Sequence, residues 1–449
     1  MGRFHSYDRF HPYDRAGRGL GLTGSGLVII AAVSALLFGS VEYWAAALAG
    51  AMVVILFITN LFTPWLKADM HREVFYAAAA LTAYPLFQIL PLPAFVLSVL
   101  QPRTVYLSVL DPSVAPAFHG ITLYAFPTET ALARLIIYLM IFFMAALLPE
   151  QGGAVYAVLK ALSGFGFILA LFGIIQHVAG NGKLYWLRPL SHGGNPFGPF
   201  VDRDHFAGYI NMLIPLSLAV SLASRKTEKK MLFAFFSLIM TFSVFLTLSR
   251  GGVMAFISGL AVFSILVVPR SKRNGSKWQS VILITFAMSL ASFVLYAGVS
   301  PLVERFSADG ISDGQRILAW KGTLAAFRDF PIFGTGLGTF RYVFTFYQPP
   351  GLHHYWSHAH NDYLELLLEE GAAGFLTGAV FIFTVLRQVF KRAWEGKQAY
   401  LQAGFASSLV TIGVHSLVDF NLHIPSNSIL FFMVLGLAMA AGKKQRQRN

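Results

Sequence analysis

Residues 154–178 read Ala-Val-Tyr-Ala-Val-Leu-Lys-Ala-Leu-Ser-Gly-Phe-Gly-Phe-Ile-Leu-Ala-Leu-Phe-Gly-Ile-Ile-Gln-His-Val, and Lys160 is the one residue there that is charged at neutral pH. A helix needs about 20 such residues to cross the hydrocarbon layer of a bilayer. Within that layer only helices and closed barrels satisfy their own backbone hydrogen bonds. The stretch is therefore read as a transmembrane helix, and it does not stand alone. Apolar stretches of similar length recur near 24–41, 44–62, 74–92, 130–148, 206–224, 231–248, 251–268, 279–298, 372–390, 401–418 and 427–442. The expected fold is all-α: a polytopic integral membrane protein with twelve transmembrane helices.

Composition agrees. Of 449 residues 56% are hydrophobic and only 12% are charged, about half of the roughly 25% that a soluble globular protein carries. That supply of charge could not cover a water-facing surface, which excludes an ordinary cytosolic enzyme, a disordered chain and a small disulfide-stapled domain. With no cysteine, thiolate metal sites, iron–sulfur clusters and cysteine nucleophiles are excluded as well.

The net charge of +13 is a topology signal, not a nucleic-acid footprint. Most of the 34 Lys and Arg residues gather in alternate loops and in the tails: Arg3 to Arg18, Lys67 and Arg72, Arg225 to Lys230, Arg270 to Lys277, Arg387 to Lys397, and Lys443 to Arg448. The positive-inside rule puts these on the cytoplasmic side, so both termini are expected to be cytoplasmic. A near-repeat opens the chain, Arg-Phe-His-Ser-Tyr-Asp then Arg-Phe-His-Pro-Tyr-Asp at 3–14; two copies are too few for a repeat architecture, and a cytoplasmic tail over 1–23 is expected. No small-residue cleavage site follows the first apolar segment, so a secretory signal is not expected. The outward segments 93–129, 179–205 and 299–371 are long, and long loops without strand patterning tend to be functional. The chemistry is placed there, with 299–371 as a catalytic loop carrying short amphipathic helices.

Few side chains in those segments suit chemistry. Arg250, in Leu-Ser-Arg-Gly-Gly between two apolar spans, is costly at a lipid boundary and is a functional candidate by default; snorkelling to the interface is the bland alternative. Arg316 begins Arg-Ile-Leu-Ala-Trp in an amphipathic helical pattern over 313–330,, where it could equally be a surface residue. The densest cluster is His353-His354-Tyr-Trp-Ser-His358-Ala-His360-Asn361-Asp362. Acid–base work by one histidine suits it; metal ligation by His358, His360 and Asp362, or a structural role at a helix start, are the alternatives. Asp202-Arg203-Asp204-His205 invites comparison with the Asp-x-Asp metal–diphosphate clamp of glycosyltransferases, but a loop salt-bridge set is the simpler reading. Arg203 and His205 are placed to face the same site.

Taken in order, these residues resemble the O-antigen ligases and the related O-antigen polymerases. The signature His-[Asn/Ser/Gln], nine residues, Gly-x-x-Gly reads here His360-Asn361, 362–370, Gly371-Ala-Ala-Gly374. Ser249-Arg250-Gly251, Arg316-x-x-x-Trp320, Phe-Gly-Ile-Ile-Gln at 172–176 and Pro-Ile-Phe-Gly-Thr-Gly-Leu-Gly at 331–338 also look like that family. The resemblance is strong over 230–390, ordered from 165, and departs at 202–204, where an Asn-rich sequence is expected. It implies membrane helices over 24–160, a ligase/polymerase-like membrane domain over 161–449, and a bacterial inner-membrane location with the site facing the periplasm. It further implies metal-independent, inverting glycosyl transfer from a glycan on undecaprenyl pyrophosphate, with no cofactor. A ligase passes the glycan to lipid A core; a polymerase passes it to another lipid-linked repeat. In these terms His360 takes the acceptor proton, Arg250 and Arg316 hold the diphosphate, Asn361 or Asp362 orients the imidazole, and Arg203, His205 and His358 line the site, with no metal ligands assigned. Arginine suits diphosphate through its forked hydrogen bonds and permanent charge. A ligase is favoured, with a polymerase as the alternative. A twelve-span transporter of lipid-linked glycans is the reading from another class, disfavoured because no two related halves are visible.

Overall fold

The structure is a computed structural model that describes residues 20–62, 72–103, 118–148, 153–190, 195–273, 287, 291, 310–395 and 398–441. Among these, helices dominate: α1 (Gly21–Leu36), α2 (Tyr43–Leu61), α3 (Arg72–Ile89), α4 (Ala94–Leu100), α5 (Ala125–Ala146), α6 (Ala154–Val178), α7 (Arg203–Ala223), α8 (Thr227–Leu246), α9 (Arg250–Arg273), α10 (Gly310–Asp329), α11 (Phe340–Tyr347), α12 (Asp362–Glu395), α13 (Ala399–His415) and α14 (Pro425–Ala440). One two-residue antiparallel pairing, Leu92–Pro93 with Phe118–His119, closes the loop after α3. Seven of the described helices, α2, α5, α6, α7, α8, α9 and α12, are long and apolar enough to cross a membrane, and α1 and α14 are shorter apolar helices. The chain is a multi-pass membrane protein. The repeat at 3–14, the basic residues 443–448 and, but for Ala287 and Ala291, the span expected at 279–298 lie outside the described residues.

Helix α7 is the hub. Its Asp202 cap accepts from the Asp204 N–H at 2.8 Å, satisfying a donor that the helix itself leaves open. Nearly every side chain that follows is buried, including Phe206, Tyr209, Met212 and Leu216. Helix α13 packs against both α7 and α9 through small residues: a Cβ at Gly404 would stand 2.5 Å from the Ala219 Cβ. Lipid tails are as apolar as leucine, so close backbone approach and buried polar contacts hold such helices together. Ser408 Oγ donates to Met212 O at 2.8 Å, Asn211 Nδ2 to Gly252 O at 2.9 Å and Gln402 Nε2 to Ala438 O at 3.0 Å.

Helix α12 begins at Asp362, ten residues before the apolar span expected at 372–390, and is broken at Gly371 (φ 62°, ψ −177°). That conformation is nearly confined to glycine. The break frees backbone groups, and the glycine-rich segment 331–338 takes them up. Ala372 and Ala373 N–H donate to Pro331 O and Ile332 O at 2.8 and 3.0 Å, while Thr335 and Gly336 N–H donate to Leu368 O and Glu369 O at 3.1 and 2.8 Å. The two backbones lie so close that a Cβ at Gly371 would stand 2.5 Å from Gly334 N. The amino-terminal helices lock this clasp. Gln88 on α3 donates to Phe333 O at 2.8 Å and to Glu369 O at 3.0 Å, and accepts from Leu337 N–H at 3.2 Å. Gln101 Nε2 adds a bond to Gly334 O at 3.1 Å.

Candidate active site

The clasp holds α12 at Leu368 and Glu369, and the first turn of the same helical segment has anchors of its own. Asn361 caps that turn, its Oδ1 accepting from the Tyr363 and Leu364 N–H groups at 3.0 Å each. Its Nδ2 donates to Leu417 O at 2.9 Å, and the Asp362 N–H donates to Ser416 O at 2.9 Å. On the other side of His360, Ala359 is held twice: its N–H donates to Glu365 Oε2 at 2.7 Å and its carbonyl accepts from Trp320 Nε1 at 3.0 Å. Between these anchors His360 adopts a left-handed backbone (φ 50°), uncommon for a residue with a side chain and tolerated where the surroundings over-determine it.

The His360 ring is directed at the turn joining α13 to α14. Its Nδ1 lies 3.5 Å from Asp419 Oδ1, and its edge meets the rings of Phe420 and Trp356 at 4.8 and 5.4 Å. The Asp419 carboxylate also lies 3.8 Å from His205 Nε2 and accepts from Asn421 Nδ2 at 3.0 Å. Burial alone would raise the Asp419 pKa, but the neighbouring His205, His360 and His415 outweigh it and hold the group below the usual carboxylate range. A buried anion thus stands beside the imidazole of His360. Of the two side chains expected to orient that imidazole, Asn361 caps the helix and Asp362 turns to His423, and the carboxylate beside the ring is that of Asp419.

A second array lies on the other flank of Phe420. His358 stacks on this ring at 4.3 Å, and its Nδ1 lies 2.8 Å from Glu365 Oε1. His423 sits between two carboxylates, its Nδ1 2.8 Å from Asp362 Oδ1 and its Nε2 3.2 Å from Glu365 Oε1. Burial favours neutral imidazole at both residues. It prevails at His358, whose pKa is lowered despite Glu365. At His423 the pair of carboxylates overcomes it and pushes the pKa up to about 10.

Arg316 and the start of the helix that Arg250 opens approach the same turn. Arg316 on α10 donates from Nη1 to Val418 O at 3.1 Å. Arg250 is the first residue of α9, and the next residue, Gly251, lies against the turn: a Cβ there would meet Val418 Cγ2 at 2.8 Å and His415 Nε2 at 3.1 Å. His205, one turn into α7, reaches the site through Asp419. Arg203 opens the same helix with its N–H on Asn195 O at 2.8 Å. The Asp202 carboxylate is engaged as the cap of α7, a role that the sequence reading does not give it.

Sequence reasoning misses Asp419, Phe420, His423, Glu365 and His415. A signal for two of them was present. Val-Asp-Phe-Asn-Leu-His at 418–423 is a short segment between two apolar spans, and the rule that marks Arg250 marks an acid and a histidine there too.

Comparison with known proteins bears on this arrangement. Over 320 residues the chain is 21% identical to the teichuronic acid biosynthesis protein TuaE of Bacillus subtilis (strain 168), an alignment covering 69% of this chain and 64% of that protein. The chain thus spans less than two thirds of that relative's length. Residues 235–379 match the family model Wzy_C, described as O-antigen ligase. That segment takes in Arg250, Arg316, His360 and the Gly371 clasp, whereas His205, Asp419 and His423 lie outside it. The resemblance read from the motifs is therefore shown where they are densest, in the match of residues 235–379 to the O-antigen ligase family model.

Proposed function

We propose that the protein is a metal-independent, inverting glycosyltransferase of the O-antigen ligase type. It moves a glycan from undecaprenyl pyrophosphate to an acceptor hydroxyl on the periplasmic face of the bacterial inner membrane, and the acceptor is a lipid A core sugar. The observation that carries this is His360 held against the ionised Asp419, in a turn that both Arg316 and the start of the Arg250 helix reach. Twelve spans with both termini cytoplasmic, and the division into an amino-terminal part (24–160) and a ligase-like part (161–449) containing the 299–371 loop, belong to this proposal.

The reaction follows from the groups present. The acceptor oxygen attacks the anomeric carbon of the donor sugar as the bond from that carbon to the diphosphate oxygen breaks. The electron pair of the broken bond leaves with undecaprenyl pyrophosphate, whose charge is balanced by the guanidinium groups of Arg250 and Arg316. His360 takes the acceptor proton, and the imidazolium so formed is stabilised by Asp419 at its Nδ1. Attack opposite the leaving group inverts the anomeric centre. His205, on the far oxygen of Asp419, helps hold that carboxylate ionised.

The likeness to a protein named for teichuronic acid biosynthesis favours a second reading, in which the acceptor is another lipid-linked glycan and the product a longer chain. A deletion strain separates the two. Bare core with polymer stranded on undecaprenyl marks a ligase, and core capped by one repeat marks a polymerase. Purified His360→Ala protein that still transferred glycan would sink the site assignment, whereas wild-type protein that transferred none would favour the transporter reading.

A further inference from the structure

Three ligating side chains that the proposed transfer does not use meet on the far flank of Phe420. Glu365 Oε1 lies 2.8 Å from His358 Nδ1 and 3.2 Å from His423 Nε2, and one ligand atom from each of the three lies within 4.8 Å of the others. We propose that His358, Glu365 and His423 form a three-ligand site for a zinc ion, which ties the His360 loop to α12 and to the turn carrying Asp419.

Four observations support this assignment. Zinc bonds nitrogen and carboxylate oxygen at about 2.0–2.2 Å in a tetrahedral shell, so neighbouring ligand atoms stand roughly 3.3 Å apart. The edge from Glu365 to His423, at 3.2 Å, is close to that value, while the edge to His358, at 2.8 Å, must lengthen and the third must settle. Next, the second nitrogen of His423 is held at 2.8 Å by Asp362, an outer carboxylate of the kind that fixes the tautomer and orientation of metal-bound histidines. Glu365 is similarly oriented, because its other oxygen accepts from the Ala359 N–H. The donor set is two imidazoles and one carboxylate, which suits zinc, whereas calcium and magnesium favour all-oxygen shells. Finally, Glu365 is 1% exposed while the imidazoles of His358 and His423 are 17% and 26% exposed, which leaves an accessible side for a water as fourth ligand. A proton shared among these groups is the competing occupant; zinc would displace it, so uptake releases a proton.

The site is independent of the proposed reaction. Its ion binds no diphosphate, and its test needs no glycan donor, so either idea can fail alone. The full chain, purified in detergent without a histidine tag, is assayed for metal by elemental analysis and titrated with cobalt(II), whose visible bands report tetrahedral nitrogen and oxygen ligation. About one zinc per chain, or saturable cobalt bands, is expected. His423→Gln and Glu365→Gln should each weaken uptake at least 100-fold, Asp362→Asn by about 10–100-fold, and His353→Ala not at all. Wild-type protein without bound zinc that gives no cobalt bands at micromolar metal overturns the assignment, whatever the variants do. So does uptake that the His423 and Glu365 variants retain.

Discussion

Replacing Gly371 by alanine puts the clasp under a direct load. The native backbone there has φ 62° and ψ −177°, a region that costs a residue with a side chain roughly 1–3 kcal/mol. The added Cβ would also stand 2.5 Å from Gly334 N and closer still to Ile332 O. Both obstacles are backbone, so no rotamer change relieves them, and overpacking of this kind adds about 1–3 kcal/mol. A loss of about 2–6 kcal/mol is expected for the clasp, together with a shift of 331–336 against 368–373. Because the Asn361 cap and the Glu365 anchor stand on the helical segment 362–370 that the clasp holds, glycan transfer should fall with it. The control is Gly164→Ala, on α6, where a Cβ meets nothing within 4 Å and alanine should stabilise the helix by about 0.5–1 kcal/mol. Thermal unfolding in detergent, followed by tryptophan fluorescence, reads both variants. An unfolding midpoint for Gly371→Ala equal to wild type or above it would refute the reasoning, since neither the backbone region nor the contact could then be as described.

The remaining predictions concern chemistry. Asp419→Asn keeps the shape of the turn and removes its charge, so turnover should drop by roughly 100-fold or more with the midpoint little changed; an undiminished rate would mean that His360 needs no carboxylate. Arg250→Ala and Arg316→Ala should each abolish transfer in assays with purified lipid-linked donor, and near-normal rates in both would remove the diphosphate clamp. Adding magnesium to the purified enzyme should leave the rate unaltered, whereas several-fold stimulation would bring Asp202 and Asp204 back as a metal clamp. Gly208→Ala should cut turnover too, because a Cβ there collides with Asn421 Oδ1 and Asn421 donates to Asp419; full activity would show that this bond does not position the carboxylate.

The membrane architecture is legible in stretches such as 154–178, because length and the absence of charge alone settle a helix in lipid. Helices overlie eleven of the twelve apolar stretches, and the other lies almost wholly outside the described residues. His360 and Asn361 are legible through spacing and resemblance, and the Asn361 cap is a short-range rule. What the sequence hides is long-range. Gln88 bonds Phe333, 245 positions away, and nothing in the local sequence of α3 announces it. The break at Gly371 is likewise invisible to hydropathy, since apolar residues continue on its carboxyl side. Asp419 is marked only as an acid between two spans, and its partner follows only once α13 is seen to deliver it to His360.

The hydrogen bonds from Asn361 and Asp362 to the carbonyls of Leu417 and Ser416 join α12 to the end of α13. His360 stands just ahead of one of these helices and Asp419 just beyond the end of the other. Unfastened, the two could slide past each other as the surrounding lipid thickens or thins, and an imidazole 3.5 Å from its carboxylate would lose that partner over a small slip. These two ties, one from a side chain and one from the backbone, make the pair a single mechanical unit, so hydrophobic mismatch should tilt the two helices together and leave the spacing of His360 and Asp419 intact.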